Sequence, residues 1–251
     1  AALFSERAGH KVRFQVPQRG DKRRLLNLVV NNAQLVLDQY LNSRERKEEE
    51  AAAGLEGLRL ALHLPNLPKR MECYDISHIQ GTSMVGSMVV FEGGHPAPKL
   101  YRHFRIKEVE GNNDFASLQE VLRRRFQRGL EERATGKNPL DFGVFPDLLI
   151  IDGGKGQLSA VCATLAQMGV TPKAIISLAK AEEEIFLPGQ SESLRLDRND
   201  PALKLLQRIR DEAHRFAIQH HRKPIPCWKT SPAWGRPTAV VCWPLLVRSR
   251  P

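Results

Sequence analysis

The sequence predicts an α/β protein in which a mixed β-sheet is flanked by helices. Residues 71–106 contain three strand-like segments separated by glycines, and strands joined by such short connections lie antiparallel. From residue 113 to residue 221, helical and strand-like segments alternate, which is typical of strands that lie parallel. Together the two patterns predict antiparallel and parallel pairing within one sheet.

The composition is that of a globular protein with a surplus of basic charge. Of the 251 residues, 41% are hydrophobic, which is enough to form a core. The net charge is +10, but residues 222–251 hold six basic and no acidic residues, so residues 1–221 carry only +4. An excess of basic over acidic residues favours a polyanionic partner such as nucleic acid. No apolar run approaches the ~18–20 residues of a membrane span and no signal peptide is visible, so we expect no membrane association.

The cysteines indicate a reducing compartment. Cys73, Cys162, Cys227 and Cys242 form no CxxC pair, so neither a zinc site nor a redox motif is predicted. Cys73 and Cys162 lie in apolar segments, as buried free thiols do. We therefore expect a cytoplasmic protein.

Residues 1–70 are expected to form a short strand and a long connecting helix. Residues 11–16, KVRFQV, alternate apolar and polar residues as a strand does. From Gly20 onward, apolar residues recur at helical spacing, and the helical pattern continues through the charged segment 43–50. The recurring residues are Leu25, Leu28, Val29, Ala33, Val36, Leu37 and Tyr40.

Residues 71–223 are expected to form the main domain. The predicted strands cover residues 71–79, 83–94, 98–106, 147–151 and 173–179, with a hairpin around Pro188-Gly189. The predicted helices cover residues 113–130, 155–168 and 200–221; Phe115 is expected on the inner face of the first, and Ala202, Leu205, Leu206, Ile209, Ala213 and Phe216 on that of the last. This order matches the ribonuclease H-like architecture, in which carboxylates on central strands and a terminal helix meet around metal ions. Residues 224–251 concentrate proline and tryptophan without periodicity, so an irregular C-terminal tail with no assigned fold is expected.

Two aspartates are candidate metal ligands. Asp75 lies inside an apolar strand, where a carboxylate is unfavourable unless a cation or hydrogen bonds compensate it. A turn-capping or solvent-facing Asp75 is an equal alternative. Asp152 ends the apolar run LLIID and precedes GGKGQ, and α/β sheets bind ligands beyond the carboxyl ends of their strands. A structural Asp152 in a strand-to-helix turn is the alternative, and the glycine spacing is not that of a P-loop.

Two further residues are candidates on weaker grounds. His214 flanks the apolar stripe of the last helix, where an imidazole can reach a cleft, although a half-buried structural histidine fits as well. Asp114 begins a helix, and an N-cap is its simpler role. Ser77 and His78 point to opposite faces of a strand, which argues against a hydrolytic Ser-His dyad.

Five basic residues are candidate phosphate contacts, although each alone is also explained as a solvated surface charge. They are Lys155, Arg123, Arg124, Lys180 and Arg215.

Four segments resemble UvrC, the incision subunit of bacterial nucleotide excision repair, and they occur in that family's order. They are ECYDISHIQGTSMVGSMVVFEGG, NNDFASLQEVLRRRF, DLLIIDGGKGQLSA and IRDEAHRFAIQHHRK. VPQRGDKRRLLNLVVNNA is similar to the segment that precedes the family's nuclease domain, so the resemblance covers about residues 1–223. Beyond these residues the family continues into paired helix-hairpin-helix motifs, which residues 224–251 do not match.

The resemblance implies a divalent-metal-dependent DNA endonuclease of ribonuclease H-like fold. In that family the catalytic aspartates fall on Asp75 and Asp152, the catalytic histidine falls on His214, and Asp114 matches a further acidic position. Asp75, Asp152 and His214 would hold Mg²⁺ or Mn²⁺ and make the incision 5′ to a lesion by two-metal hydrolysis. The implied setting is the DNA-damage (SOS) response. The implied partners are damaged double-stranded DNA and the UvrB–DNA complex, although the UvrB-docking segment is not among these residues.

Two alternatives stay open. A non-catalytic DNA-binding or scaffold remnant would keep the fold without the activity, but the joint presence of Asp75, Asp152 and His214 argues against a decayed site. A related metal-dependent nuclease that acts on RNA or on junctions would use the same residues, and a panel of substrates would distinguish it.

Overall fold

The computed structural model describes residues 2–11, 16–79, 83–107, 109, 113–136, 142–179 and 183–221. Most of the strand predicted at 11–16, and all of the tail at 224–251, lie outside these residues. The helices are α1 (Ala2–Ala8), α2 (Gly20–Ala61), α3 (Asp114–Thr135), α4 (Lys155–Gln167) and α5 (Pro201–His221). The strands are β1 (Arg70–Ile79), β2 (Ser83–Glu92), β3 (His95–Pro96), β4 (Arg102–Arg105), β5 (Leu148–Asp152), β6 (Ile175–Leu178) and β7 (Ile185–Phe186).

The strands form one mixed sheet, as predicted. Its order is β3-β2-β1-β5-β6-β7, and β4 also pairs with β2. β1 is antiparallel to β2 and parallel to β5, and β5 is parallel to β6. The apolar run Leu148–Ile151 of β5 is completely buried, as expected for a central strand. The parallel strands β1 and β5 therefore occupy the middle of the sheet.

Helices cover both faces of the sheet. Side chains on one face of β1 point toward α3, where Tyr74 and Glu72 meet the buried Arg125. Side chains on the other face point toward α5, where Asp75 lies near His214. The apolar stripe predicted for α5 is buried except for Phe216, which packs on His103 at its edge.

A buried ionic network holds α3 on β1. Arg125 Nη2 donates to Glu72 Oε1 at 2.8 Å, and neither side chain is exposed. Arg125 also donates to the carbonyls of Phe142 and Val144, and Tyr74 Oη donates to Glu72 Oε2 at 2.7 Å. Because Glu72 precedes Asp75 by only three residues on β1, this network also fixes the backbone that carries Asp75.

Helix α2 docks on the domain only near its end. Its buried residues are Ala51, Gly54, Leu55 and Leu58. A Cβ placed on Gly54 would lie 3.0 Å from Leu205 Cβ, so the close approach of α2 and α5 depends on that glycine. The apolar residues recurring over 25–40 are exposed, and their periodicity therefore marks a face that the described part of the chain does not cover. None of the helices in the described residues is long and apolar enough to cross a membrane.

One local prediction was wrong, and a second was confirmed only in reduced form. Phe115 is exposed and not on the inner face of α3, because it lies in the first turn and its ring reaches Gly156 at the start of α4. The hairpin after β6 is reduced to the two residues of β7 and a single bridge between Ile185 and Leu194.

Candidate active site

Asp75 and Asp152 lie side by side on the two central strands. The parallel register of β1 and β5 pairs Tyr74 with Ile151, and the next residues along the two strands are Asp75 and Asp152. Residues in register on neighbouring strands project from the same face. The Asp75 side chain is 6% exposed, and Asp152 is partly exposed where β5 ends. Strand pairing thus places two carboxylates next to each other at the carboxyl edge of β5.

His214 reaches this pair from α5. Its Nδ1 lies 3.7 Å from Asp75 Oδ2, and its side chain is 57% exposed. The buried stripe on α5 fixes the helix on the same face of the sheet as the two carboxylates. The structure therefore places Asp152 and His214 each next to Asp75, although up to 139 positions separate the three residues in the sequence.

Polar side chains continue along the same row of the sheet. Asp75 pairs with Ser87 on β2, and Ser87 pairs with His103 on β4. Ser87 is completely buried, and its Oγ lies 3.4 Å from His103 Nδ1. The His103 ring stacks on Phe216 of α5, with ring centroids 3.9 Å apart. These contacts join β2, β4 and α5 on the side of Asp75 that is opposite Asp152.

Asp114 lies at the same end of the sheet but on a helix of the opposite face. It is the first residue of α3, and the N-cap is Asn113, whose side chain accepts from the Ala116 N–H at 3.1 Å. The N-cap role expected for Asp114 was therefore wrong by one residue. Phe115, the next residue, reaches Gly156 in the first turn of α4. Asp114 thus borders the site without sharing the face of Asp75 and Asp152.

The candidate phosphate contacts differ in how far their charge is already paired. Arg215 forms a bidentate pair with Glu212 at 2.5 and 2.6 Å. Arg124 donates to Glu120 at 3.0 Å and to the Arg105 carbonyl at 2.7 Å. Lys155 is exposed and its Nζ donates to the Ser191 carbonyl at 3.3 Å, and Arg123 is exposed on α3. Lys180 lies outside the described residues.

Comparison with known families identifies the chain. A family model described as the UvrC RNAse H endonuclease domain matches residues 59–218, and one described as the UvrC Ribonuclease H-like domain matches residues 1–40. The chain belongs to the UvrC family. It is 50% identical over 223 residues to the UvrABC system protein C of Moorella thermoacetica, and 48% identical over 227 residues to that of Gloeobacter violaceus.

These UvrC relatives are much longer than the chain. The matches cover 89% of this chain in both cases, but only 35% and 34% of the respective relatives. The chain is also similar to the endonuclease V of Ciona intestinalis in complex with a DNA that contains an inosine, at 13% identity and a TM-score of 0.31, over 70% of this chain and 68% of that one. The corresponding values for human ENDOV are 12% and 0.31, over 70% and 99%.

The pair of carboxylates fits a hard divalent cation. Mg²⁺ is usually held by one or two carboxylates together with waters and substrate phosphates, and two adjacent aspartates provide such a donor set. Among the residues that the structure describes, no three His, Cys, Asp or Glu side chains are gathered closely enough to hold an ion. Asp75 and Asp152 would be the protein donors of such a cation, with water or phosphate as the further ligands. His214, whose side chain is 57% exposed, lies at the rim beside Asp75.

Sequence reasoning missed several residues of the site. Ser87 carries no sequence signal, because only the strand register shows that it neighbours Asp75. Arg210 lies on α5 one turn before His214, and its Nη2 is 3.4 Å from Glu183 Oε1. A test of the α5 sequence for polar residues at i−4 and i−7 from His214 would have found both Arg210 and Gln207.

Proposed function

We propose that this chain is the nuclease portion of a nucleotide excision repair endonuclease, which cuts a DNA strand 5′ to a lesion by two-metal hydrolysis. The observation that supports the proposal is the register of β1 and β5, in which Asp75 and Asp152 directly follow the paired Tyr74 and Ile151, while His214 Nδ1 lies 3.7 Å from Asp75 Oδ2. Membership of the UvrC family supports DNA repair as the setting. Damaged double-stranded DNA and the UvrB–DNA complex are the proposed partners.

Asp75 and Asp152 would hold the cations, Mg²⁺ or Mn²⁺. When bound, two divalent cations activate the attacking water and neutralise charge that develops on the phosphate. Asp75 is suited to anchor them because it is almost completely buried and lies in the middle of a strand that Glu72 and Arg125 tie to α3. Asp152 lies at the carboxyl end of its strand, where a phosphodiester would approach, and both of its carboxylate oxygens are buried.

His214 would position the attacking water or act as the general acid of the reaction. Its Nδ1 faces Asp75, which would orient the ring and leave Nε2 free to face the cleft. An imidazole held in this way can position the attacking water or donate a proton to the leaving oxygen. Because His214 is more exposed than either aspartate, we assign it the role that needs access to substrate.

DNA would bind across the carboxyl edge of β5. Lys155 and Arg123 supply exposed charge on the α4 and α3 side, while Arg215 lies one residue after His214 on α5. The Glu212 carboxylate already neutralises most of the charge of Arg215. We therefore expect Lys155 to contribute more to phosphate binding than Arg215.

A nicking assay tests the proposal. A duplex with one bulky adduct, labelled at the 5′ end of the damaged strand, is incubated with the protein and the damage-loading partners, in Mn²⁺, Mg²⁺ or EDTA. We expect metal-dependent cleavage on the 5′ side, lost in Asp152→Asn and retained in Asp147→Asn, which alters the other end of the same strand. Cleavage in EDTA, or equal cleavage by both variants, would contradict the proposal.

A further inference from the structure

Helix α2 carries two apolar segments, and only the second is covered. In the second segment, Leu58 is completely buried where the helix docks on the domain. In the first segment, residues 25–41, eleven of the seventeen residues are apolar. None of the eleven is buried within the part of the chain that the structure describes, and Leu25, Val36 and Tyr40 are 63%, 66% and 61% exposed. A contiguous apolar surface of this size marks a site of interaction.

The exposed segment continues the side of α2 that packs on α5. At about 100° per residue, Val29 and Val36 point within about 40° of the direction of the buried Leu58. The apolar arc of the first segment is wider than this stripe, because Leu28 and Leu35 lie more than about 100° to one side of it. Two self-paired helices need only a narrow seam, whereas apolar residues over more than half of the circumference are typical of a helix packed into a domain.

A polar spacer separates the two segments, and the family models divide the chain at the same place. Residues 43–50 contain no apolar residue and span about 12 Å of helix. One UvrC model matches residues 1–40 and the other matches residues 59–218. Forty residues are fewer than a domain usually contains, and only 35% of the Moorella thermoacetica relative is matched by this chain. Residues 1–40 are therefore a part of a second domain.

The polar side of the first segment suits a protein partner better than a lipid surface or DNA. It consists mainly of uncharged amides, and Gln34 Nε2 donates to Asp38 Oδ1 at 2.8 Å. Residues 25–43 contain no lysine or arginine. Helices that lie on membranes usually carry basic residues on their polar side, and binding to DNA requires them as well.

We propose that residues 20–41 are a packing helix of this second domain and that their apolar side docks on the rest of it. The occupant is an apolar protein surface, formed by the polypeptide that precedes this helix in the longer relatives. Helix α2 then belongs to two domains at once, and residues 43–50 are the solvated spacer between them. This inference does not depend on the proposed nuclease activity.

Hydrogen–deuterium exchange tests the docking on intact proteins. In this chain, the amides of residues 25–41 should exchange roughly tenfold or more faster than those of residues 51–61, because only the latter are covered. In the full-length UvrABC system protein C of Moorella thermoacetica, the aligned amides of both segments should be protected. Glu at the two positions that align with Val29 and Val36 should remove the protection of the first segment there. Glu at the positions that align with Asn31 and Gln34, on the polar side, should leave it unchanged.

Three outcomes would overturn the proposal. The first is protection of residues 25–41 in this chain by itself, because its own remaining residues or a second copy would then cover the stripe. Sedimentation of the unaltered chain and of Val29→Glu/Val36→Glu distinguishes these two occupants, since only a dimer would dissociate. The second is fast exchange of the aligned segment in the full-length relative, and the third is protection there that survives both apolar-to-Glu changes. Because exchange is measured and not cleavage, failure of the proposed nuclease activity leaves this test intact.

Discussion

Replacing Asp152 by Asn should make the metal-free protein more stable. The change removes one of two neighbouring negative charges with almost no change in volume. Neighbouring strands lie about 4.8 Å apart, so side chains in register on one face are roughly 5 Å apart. Two charges at that distance repel by about 3 kcal/mol at an effective dielectric constant near 20. Interactions of the two carboxylates with other groups, and the partial exposure of the Asp152 residue, reduce this to roughly 1–2 kcal/mol, which corresponds to a rise in melting temperature of about 2–8 °C.

Asp147 provides the matched control, because it immediately precedes β5 and has strong partners. Its Oδ1 lies 2.7 Å from Lys173 Nζ, and its Oδ2 accepts the Arg70 N–H at 2.9 Å. Burial raises the pKa of Asp147, but these hydrogen bonds outweigh burial and hold the pKa below its usual 3.8. Its contribution to stability is therefore present above pH ~4 and lost as the pH falls through the lowered pKa. Asp147→Asn should lower the melting temperature at pH 7, and the difference should shrink at more acid pH.

Calorimetric melts in EDTA and in Mn²⁺ check both variants. Mn²⁺ should raise the melting temperature of the unaltered protein and of Asp147→Asn, because binding to the folded state alone stabilises it. The same ion should leave Asp152→Asn nearly unchanged. If Asp152→Asn melts at a lower temperature in EDTA, its carboxylate stabilises the fold through hydrogen bonds, and the reasoning from repulsion is refuted.

Three further changes separate stability from chemistry. Glu72→Gln should destabilise the domain by about 3–5 kcal/mol in chemical denaturation, because it leaves the buried Arg125 charge uncompensated; a loss below about 1 kcal/mol would contradict a charged pair. Leu58→Ala should cost about 2–5 kcal/mol, because Leu58 is completely buried where α2 docks, whereas Leu28→Ala should cost less than about 0.5 kcal/mol. His214→Gln should abolish nicking with a melting temperature within about 2 °C of the unaltered protein, and gross unfolding would assign His214 to the core.

The parts of the fold that were predicted correctly are those set by local pattern. The uninterrupted apolar run of β5 identifies a strand buried on both faces, and the single stripe from Ala202 to Ala213 identifies the buried side of α5. Asp152 could be singled out because it ends such a run before two glycines. Each of these signals is contained in fewer than fifteen consecutive residues, so no long-range contact was needed to interpret them.

The parts that were not predicted depend on contacts distant in the sequence. Arg123, Arg124 and Arg125 have the same side chain, yet only Arg125 is completely buried, because its angle on α3 points it at Glu72. The periodicity of α2 predicts an apolar face over residues 25–40 but cannot say what covers it. Register is a further example, since nothing near Ser87 shows that it will pair with Asp75.

The three central residues are held by two different kinds of constraint. Backbone pairing of β1 and β5, which extends to Tyr74 and Ile151, holds the main chain at Asp75 and Asp152, so the spacing of the two strands changes only if the sheet itself is disrupted. His214 is held by the packing of α5, and its exposed imidazole can change rotamer while the helix stays in place. The proposed nuclease site would have to keep two carboxylates at one spacing, yet admit and release a strand of DNA, and this needs a rigid part and an adjustable part. Here the sheet supplies the rigid part, and the rim of α5 supplies the adjustable one.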